Sequence, residues 1–242
     1  MQFREERLAQ QRHSVNAQHD LAIVRENLGD TQLQTGKPEL AKAEYQKALD
    51  IYEALANADP SSGVHQDSVA RACYRLATAE LRLTDRKSSD RDYRRALKIR
   101  EQQFQNSQTV GTLKPLMVVQ ARCGQHAKAA GLAERIQKHP LAGKDPQNLF
   151  DVACCYALCM DAVTSQGTSS RPASEGTSLQ HDYGTRAVAA LKEAIAHGYS
   201  DVRGIEMDPD LDPLRGLPAY QTLMGELKNS LAKPSPKSQS AK

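Results

Sequence analysis

The 242-residue sequence has few large aromatic side chains, with no Trp, three Phe and eight Tyr. Its hydrophobic core therefore cannot depend on large rings, and Ala and Leu must supply most of the packing. Both residues favour helices, and small side chains let helices approach closely. The composition predicts an all-α protein.

The sequence also lacks long apolar runs and a strong excess of charge. Its longest apolar run, residues 152–160, is far shorter than the roughly 20 residues of a membrane-spanning helix, and its start has no apolar signal segment. The 32 basic and 29 acidic residues give a net charge of +3. We therefore expect a cytoplasmic protein that binds neither nucleic acid nor membranes.

Cysteine is scarce, and the five residues are an odd number for a disulfide framework. Cys154, Cys155 and Cys159 fall on one predicted helix, but no paired Cys or His motif completes a tetrahedral zinc site. We interpret them as reduced, buried side chains.

Three acidic residues near the C-terminus, Asp208, Asp210 and Asp212, resemble a cation site by spacing alone. The Gly turn and bidentate Glu of an EF-hand are missing, so turn and helix-cap roles are the interpretation we favour. The sequence predicts no catalytic residue, no metal site and no cofactor.

An internal repeat with an offset of 48 residues runs through the first half of the chain. The equivalent pairs are Ala22 and Ala70, Leu28 and Leu76, Leu33 and Leu81, Ala41 and Ser89, Tyr45 and Tyr93, and Ala48 and Ala96. A fixed period of this size is typical of repeat architectures.

The first helix of each repeat is predicted from apolar periodicity. Leu21, Val24 and Leu28 follow the i, i+3, i+7 spacing, so we expect them to form the buried face of this helix. Gly36 suits the left-handed end of a helix, and Pro38 suits the first turn of the next. The two helices should form a tight hairpin.

The second helix has a longer apolar face, formed by Ala41, Tyr45, Ala48, Tyr52 and Leu55. Pro60 should end this helix at Asp59. We expect Lys42 on its polar face to be dispensable for stability, within about half a kcal/mol. In the second repeat, Ser89 is predicted as the N-cap, with Asp92 three residues later.

These patterns resemble the tetratricopeptide repeat (TPR). Leu28-Gly29 followed by Ala41-x3-Tyr45-x2-Ala48 matches its first and second helices, and Leu76-Ala77 with Ser89-x3-Tyr93-x2-Ala96 repeats the match. The resemblance implies a right-handed α-solenoid of TPR-like helical hairpins with a C-terminal closing helix.

The predicted organisation has seven segments. They are an orphan helix of a truncated preceding repeat (residues 1–13), repeat 1 (15–60), repeat 2 (63–107), a degenerate repeat 3 (108–140), repeat 4 (145–198) with a disordered insertion (164–181), a C-terminal capping segment (199–231) and a disordered tail (232–242). The insertion and the tail are too polar to bury enough apolar area to offset the cost of ordering.

The last third of the chain resembles the C-terminal end of bacterial eukaryotic-like Ser/Thr protein kinases that carry a TPR array. The motifs are Tyr183-x3-Ala187-Val188-x2-Leu191, Gly198-Tyr199-Ser200-Asp201 and Asp208-Pro209-Asp210-Leu211-Asp212-Pro213. In that family the array is a sensory or partner-binding part. The chain has no Gly-rich loop, His-Arg-Asp or Asp-Phe-Gly motif, so no kinase residue can be assigned.

The sequence is therefore compatible with two functions. The first is a non-catalytic scaffold that binds a peptide or partner protein in the concave groove of the repeats. The alternative is the C-terminal regulatory fragment of a bacterial Ser/Thr kinase whose catalytic domain is missing from this chain. In TPR arrays the first helices line the groove. The resemblance places these residues on that side: Glu26, Asp30, Arg71, Tyr74, Thr78, Lys114 and Arg122. The predicted peptide-binding residues among them are Arg71, Tyr74, Thr78, Lys114 and Arg122.

The ligand class is predicted from charge, because the later part of this groove is basic. A peptide with acidic residues or a free C-terminal carboxylate is the expected ligand. Self-association through the N-terminal helix is a further expectation, because Phe3 and Leu8 would have no partner helix to cover them.

Overall fold

The computed structural model describes the backbone of residues 2–165 and 173–232, and the side chains of residues 14–164 and 176–229. The described backbone forms α1 (Gln2–Gln34), α2 (Pro38–Ala58), α3 (Gly63–Arg82), α4 (Arg86–Asn106), α5 (Val110–Arg122), α6 (His126–Gln137), α7 (Pro146–Ser165), α8 (Ala173–Ala196), α9 (Val202–Met207) and α10 (Pro218–Ala232). Short 3-10 helices occupy Ala142–Lys144 and Pro209–Leu214. The described residues contain no strand, which confirms the all-α prediction.

The chain divides into two compact units, Met1–Val119 and Gln120–Lys242. In the first unit, α1 packs against α2 and α3 packs against α4, so two helical hairpins follow one another. Helix α2 also packs against α3, which joins the hairpins. The prediction of consecutive helical hairpins is confirmed.

The turn between α1 and α2 is a left-handed glycine turn, as the sequence predicts. Gly36 has a φ of +73°, and the Lys37 N–H donates to the Gln32 carbonyl at 2.9 Å. This bond satisfies a carbonyl that the end of α1 would otherwise leave unpaired. Pro38 is at the start of α2, where its missing N–H costs nothing.

The equivalent turn between α3 and α4 uses a threonine in place of glycine. Thr84 has a φ of +62°, and the Asp85 N–H donates to the Glu80 carbonyl at 2.9 Å. A β-branched residue is strained in this region. The N-cap of α4 is Asp85, whose carboxylate accepts from the Ser88 N–H at 3.2 Å. The prediction of Ser89 as the cap is wrong, since Ser89 is buried inside the helix at the position equivalent to Ala41.

The predicted apolar face of α2 is confirmed, because all five of its residues are buried. Its central ring, Tyr45, lies against Gly29 of α1, where an added Cβ would come within 2.5 Å of Tyr45 Cε1. Only glycine fits at this position without a shift of the ring. The Leu28-Gly29 pair therefore marks a close approach between the two helices.

The predicted core face of α1 is wrong. Leu21, Val24 and Leu28 are 46%, 61% and 46% exposed, and α1 instead buries Ala22, Glu26 and Gly29. The physical reason is that α2 presents two tyrosines, which need a glycine for close approach and a carboxylate as a hydrogen-bond acceptor. Apolar periodicity alone selects the opposite face.

The N-terminal segment has no helix boundary of its own. We predicted a separate helix for residues 1–13, whereas α1 runs without a break from Gln2 to Gln34. The sequence before Gly29 contains neither Gly nor Pro, and extending a helix is easier than starting a new one. That residues 1–13 derive from a truncated repeat stays a prediction.

In the second unit, α7 packs against α6, α8 and the 3-10 helix Pro209–Leu214, and α10 contacts α8. The prediction of disorder over residues 164–181 is wrong at both ends, because α7 continues to Ser165 and α8 begins at Ala173. A helix already held by packing extends readily into good helix formers such as Ala173 and Leu179. Residues 166–172 lie outside the described residues, as does the predicted tail beyond Ala232.

The closing helix predicted near residues 218–231 is confirmed as α10. Across the part of the chain that the structure describes, no helix combines the length and hydropathy needed to cross a membrane.

Candidate interaction surface

Six polar side chains connect the two hairpins of the first unit. They come from α1 (Glu26 and Asp30), α2 (Tyr45 and Tyr52) and α3 (Arg71 and Arg75). We call this set the inter-hairpin network. Four of its six members belong to the first helices of the two repeats, the side on which the sequence predicts the binding groove.

Glu26 is the centre of this network and is only 2% exposed. Its carboxylate accepts from the Tyr52 hydroxyl at 3.0 Å and from Arg71 Nε at 3.1 Å. Arg75 Nε lies 3.7 Å away, and the Arg71 guanidinium also stacks over the Tyr52 ring at 5.6 Å. A buried carboxylate needs such partners because an unpaired charge in the interior is costly.

Asp30 forms the second acidic position of the network, one helical turn after Glu26. It accepts from the Tyr45 hydroxyl at 2.7 Å and forms an ion pair with Arg75. The two carboxylates of α1 therefore face two arginines of α3 with the same i, i+4 spacing. This match fixes the second hairpin against the first.

Burial keeps both phenols of the network protonated. Burial and the nearby Glu26 carboxylate raise the pKa of Tyr52 to about 12. Burial and the hydrogen bond to Asp30 raise the pKa of Tyr45 far above its usual value. Both hydroxyls therefore act as hydrogen-bond donors to carboxylates at neutral pH.

Three predicted peptide-binding residues lie on one side of α3. Arg71 is half-buried and already paired with Glu26. Tyr74 is half-buried, with its ring edge-on to Tyr93 at 5.4 Å between centroids. Thr78 is buried, donates to the Tyr74 carbonyl at 2.9 Å and shares a hydrogen bond with the Tyr93 hydroxyl.

The other two predicted residues lie elsewhere. Lys114 is half-buried on α5, within the first unit. Arg122 belongs to the second unit, where it forms an ion pair with Asp210. The structure therefore brings Arg71, Tyr74 and Thr78 together on one helix, whereas Lys114 lies on α5 and Arg122 belongs to the second unit.

Lys42 has a partner that the sequence did not reveal. Its Nζ lies 3.1 Å from Glu80, whose side chain is 2% exposed, and this buried partner argues against the expectation that Lys42 is dispensable for stability. Burial raises the pKa of Glu80, although the ammonium of Lys42 opposes this effect. The pair joins α2 to α3 beside the turn at Thr84.

In the second unit, Asp208 caps the 3-10 helix Pro209–Leu214 by accepting from the Asp210 N–H at 2.8 Å. Burial, reinforced by the Asp210 charge, raises the pKa of Asp208 to about 7. Asp212 accepts from Arg215 Nε at 2.8 Å. These contacts agree with the turn and cap roles predicted from sequence.

Cys154, Asp208 and Asp210 place one potential metal-ligand atom each within 4.8 Å of one another. Burial raises the pKa of the Cys154 thiol well above its usual value, and a protonated thiol is a poor ligand. The guanidinium of Arg122 on Asp210 also opposes a bound cation. The absence of a metal site stays a prediction.

The remaining cysteines of α7 are buried, as the sequence predicts. Cys155 and Cys159 have no exposed surface, and Cys159 Sγ donates to the His126 carbonyl at 3.5 Å. His126 itself is buried and shares a hydrogen bond with the Tyr183 hydroxyl at 3.0 Å. These contacts join α6, α7 and α8 in the core of the second unit.

An open groove of about 590 Å³ lies beside α8 in the second unit. Its apolar floor is formed by Met160, Val188 and Leu217, and Gly184 lets Met160 and Leu217 approach the helix. Lys192 places a positive charge on its lining, which also includes the imidazole of His181. We call this the α8 groove.

Comparisons with known proteins identify two repeats in this chain. The tetratricopeptide repeat family model matches residues 23–55 and 70–103. Two similar solved structures are titled "MamA RS-1 ArsTM double mutant" and "MamA 41-end from Desulfovibrio magneticus RS-1". They are 15% and 16% identical, cover 88% of this chain and 97% and 98% of their own, and have a TM-score of 0.39.

No curated protein sequence matches this chain. The two matched segments, residues 23–55 and 70–103, contain all six residues of the inter-hairpin network. Residues 23–55 and 70–103 are thus tetratricopeptide repeats, as the sequence predicts.

Proposed function

We propose that the chain is a non-catalytic interaction module that binds a peptide or a partner protein along the first helices of its repeats. The observation that carries the proposal is the pair of tetratricopeptide repeats at residues 23–55 and 70–103. Repeats of this type join neighbours into a continuous surface that suits extended ligands.

The residues assigned to this surface in the first unit are Arg71, Tyr74, Thr78 and Lys114, and Arg122 is assigned in the second. The partly exposed ring of Tyr74 is the strongest candidate for a ligand anchor, because an aromatic ring offers a large contact area at low entropic cost. The Tyr74 ring lies edge-on to the Tyr93 ring, and the Tyr93 hydroxyl shares a hydrogen bond with Thr78.

The charge of the ligand is a separate part of the proposal. Arg71 and Arg75 are each paired with a carboxylate of α1, so an acidic ligand would have to compete with Glu26 and Asp30. The acidic peptide predicted from sequence stays a prediction, and the test has to include neutral and basic peptides of the same length.

Selection of peptides from a random library tests this function. Peptides selected by the wild-type protein should bind with dissociation constants in the micromolar range, and Tyr74→Ala should weaken their binding about tenfold or more. Gln46→Ala is the matched control, because Gln46 is exposed on the second helix α2. Circular dichroism should show that both variants remain folded.

Two results would contradict the proposal. One is a library that yields no peptide with measurable affinity. The other is a set of peptides whose affinity is the same for Tyr74→Ala and the wild type. The attachment of this chain to a Ser/Thr kinase domain, and its cytoplasmic location, stay predictions.

A further inference from the structure

An uncharged apolar stripe runs along the exposed side of α1. It consists of Leu21, Val24 and Leu28, which are 46%, 61% and 46% exposed and lie on one face of the helix. Ala17 and Gln32 continue this face at its two ends. We call it the α1 stripe. Three large apolar side chains in register on one helix are typical of a helix contact surface.

The second repeat shows what covers this face elsewhere in the same molecule. The residues equivalent to the α1 stripe by the 48-residue offset are Val69, Ala72 and Leu76 of α3, which are 3%, 0% and 1% exposed. They are buried because α3 lies against both α2 and α4. The same positions of α1 are apolar but uncovered, so the missing neighbour corresponds to α2, the second helix of a hairpin.

Another helix of the same chain, α8, also has an open apolar face. Helix α8 follows α7 in its hairpin as α2 follows α1, and it forms one wall of the α8 groove. The groove runs along α8 from Thr177 to Lys192, a distance of about 22 Å at 1.5 Å per residue. The α1 stripe spans about 10 Å and therefore fits within its length.

We propose that the α1 stripe of one copy docks in the α8 groove of a second copy, so that the protein associates head to tail. Within one copy, α2, the second helix of repeat 1, packs against α3, the first helix of repeat 2. The proposed contact repeats this kind of packing between copies, with α8 in the place of α2 and α1 in the place of α3. The edge charges are complementary, because the exposed Asp20 borders the stripe whereas the Lys192 ammonium lines the groove. The inference does not depend on the proposed peptide ligand.

The two surfaces of this contact are different, so each copy keeps one stripe and one groove available for further copies. Association should therefore continue beyond the dimer as the concentration rises. A contact made by one helix face belongs to the weak, transient class of interfaces, for which we expect a dissociation constant of about 100 μM.

Sedimentation velocity of the full chain, from about 5 to about 500 μM, tests the proposal. The wild type should shift to larger species with concentration. Val24→Glu removes the stripe, and Ala189→Glu introduces a charge at an exposed position that lines the groove. Each variant alone should remain monomeric. Val64→Glu is the control, because Val64 is apolar and 65% exposed elsewhere and its loss should change nothing.

Mixing the two defective variants gives the decisive result. Ala189→Glu keeps its stripe and Val24→Glu keeps its groove, so a one-to-one mixture should form a heterodimer that does not grow further. A wild type that stays monomeric throughout would overturn the proposal. Association of Ala189→Glu by itself would also overturn it, because it would indicate stripe-to-stripe pairing. Association of each variant measured separately would overturn it as well, because it would indicate that another surface forms the contact.

Discussion

Gly29 of α1 and Tyr45 of α2 are so close that a Cβ atom at position 29 would lie 2.5 Å from Tyr45 Cε1. The tyrosine ring fills the space that the missing side chain leaves, and its hydroxyl donates to Asp30 one residue further along α1. This contact sets the distance between the helices of the first hairpin. It also sets which face of α1 is buried.

Replacing Gly29 with alanine should destabilise the protein. Alanine is the better helix former by about 1 kcal/mol, but the clash with Tyr45 should outweigh this gain and leave a net loss of about 1–2 kcal/mol. Gly131→Ala is the matched control, since a Cβ at this site in α6 meets no atom within 4 Å. The control should stabilise the protein by about 0.5–1 kcal/mol in urea unfolding. Equal effects at both sites would show that the contact with Tyr45 is not rigid.

Replacing Thr84 with glycine should stabilise the protein. Thr84 has a φ of +62° at the turn where the first repeat has Gly36. Relief of this strain should raise the free energy of unfolding by about 1 kcal/mol, after the greater flexibility of glycine in the unfolded chain is subtracted. Gly36→Thr should have the opposite sign, and thermal melts of the two variants provide the measurement. A loss of stability in Thr84→Gly would contradict the left-handed turn.

Lys42→Ala should destabilise the protein because it leaves the buried carboxylate of Glu80 without its ammonium partner. We expect a loss of about 1–3 kcal/mol near pH 7. Lys47→Ala removes a lysine from the same helix, but Lys47 is half exposed and pairs with Glu44 near the surface, so its loss should stay within about 0.5 kcal/mol. Adding Glu80→Gln to Lys42→Ala should recover part of the loss, and no recovery would mean that the ion pair is not the cause.

The stability of the protein should depend on the protonation of Asp208. Burial raises the pKa of this carboxyl from 3.8 to about 7, so the folded state binds the proton more tightly than the unfolded chain does. The contribution of Asp208 to the free energy of unfolding should therefore fall as the pH rises from about 4 to about 7, and level off above that range. Asp208→Asn stays neutral and can still cap the 3-10 helix.

The difference in stability between Asp208→Asn and the wild type should thus grow with pH, by about 1 kcal/mol or more between pH 4 and pH 8. Urea unfolding at each pH provides the measurement. A difference that is constant over this range would show that Asp208 titrates at the same pH in the folded and unfolded states.

The sequence predicts the buried face of α2 correctly and the buried face of α1 incorrectly, and the difference has a physical reason. The buried face of α2 is made of Ala, Leu and Tyr at helical spacing, which periodicity detects. The buried face of α1 includes Glu26 and Gly29, which no apolar pattern identifies, and its most apolar face is exposed. Hydrophobic periodicity locates a packed face only when that face is apolar.

The inter-hairpin network was predicted only in part. Glu26, Asp30 and Arg71 were assigned to the first-helix side because of the repeat resemblance, but Arg75 and both tyrosine hydroxyls were missed. A signal was available, since two acids at positions i and i+4 in one repeat face two arginines with the same spacing in the next. The contact between the two hairpins decides which charged side chains pair. A single sequence does not give the distance between these side chains.

Hydrogen exchange with and without a peptide selected by the protein tests the central claim most directly. If the first helices form the binding surface, the bound peptide should slow exchange of backbone amides in α3 around residues 71–78. Amides of the exposed face of α2, around residues 46–50, should be unchanged. Slowed exchange confined to α2, or to the ends of the described chain, would contradict the account and place the binding surface elsewhere.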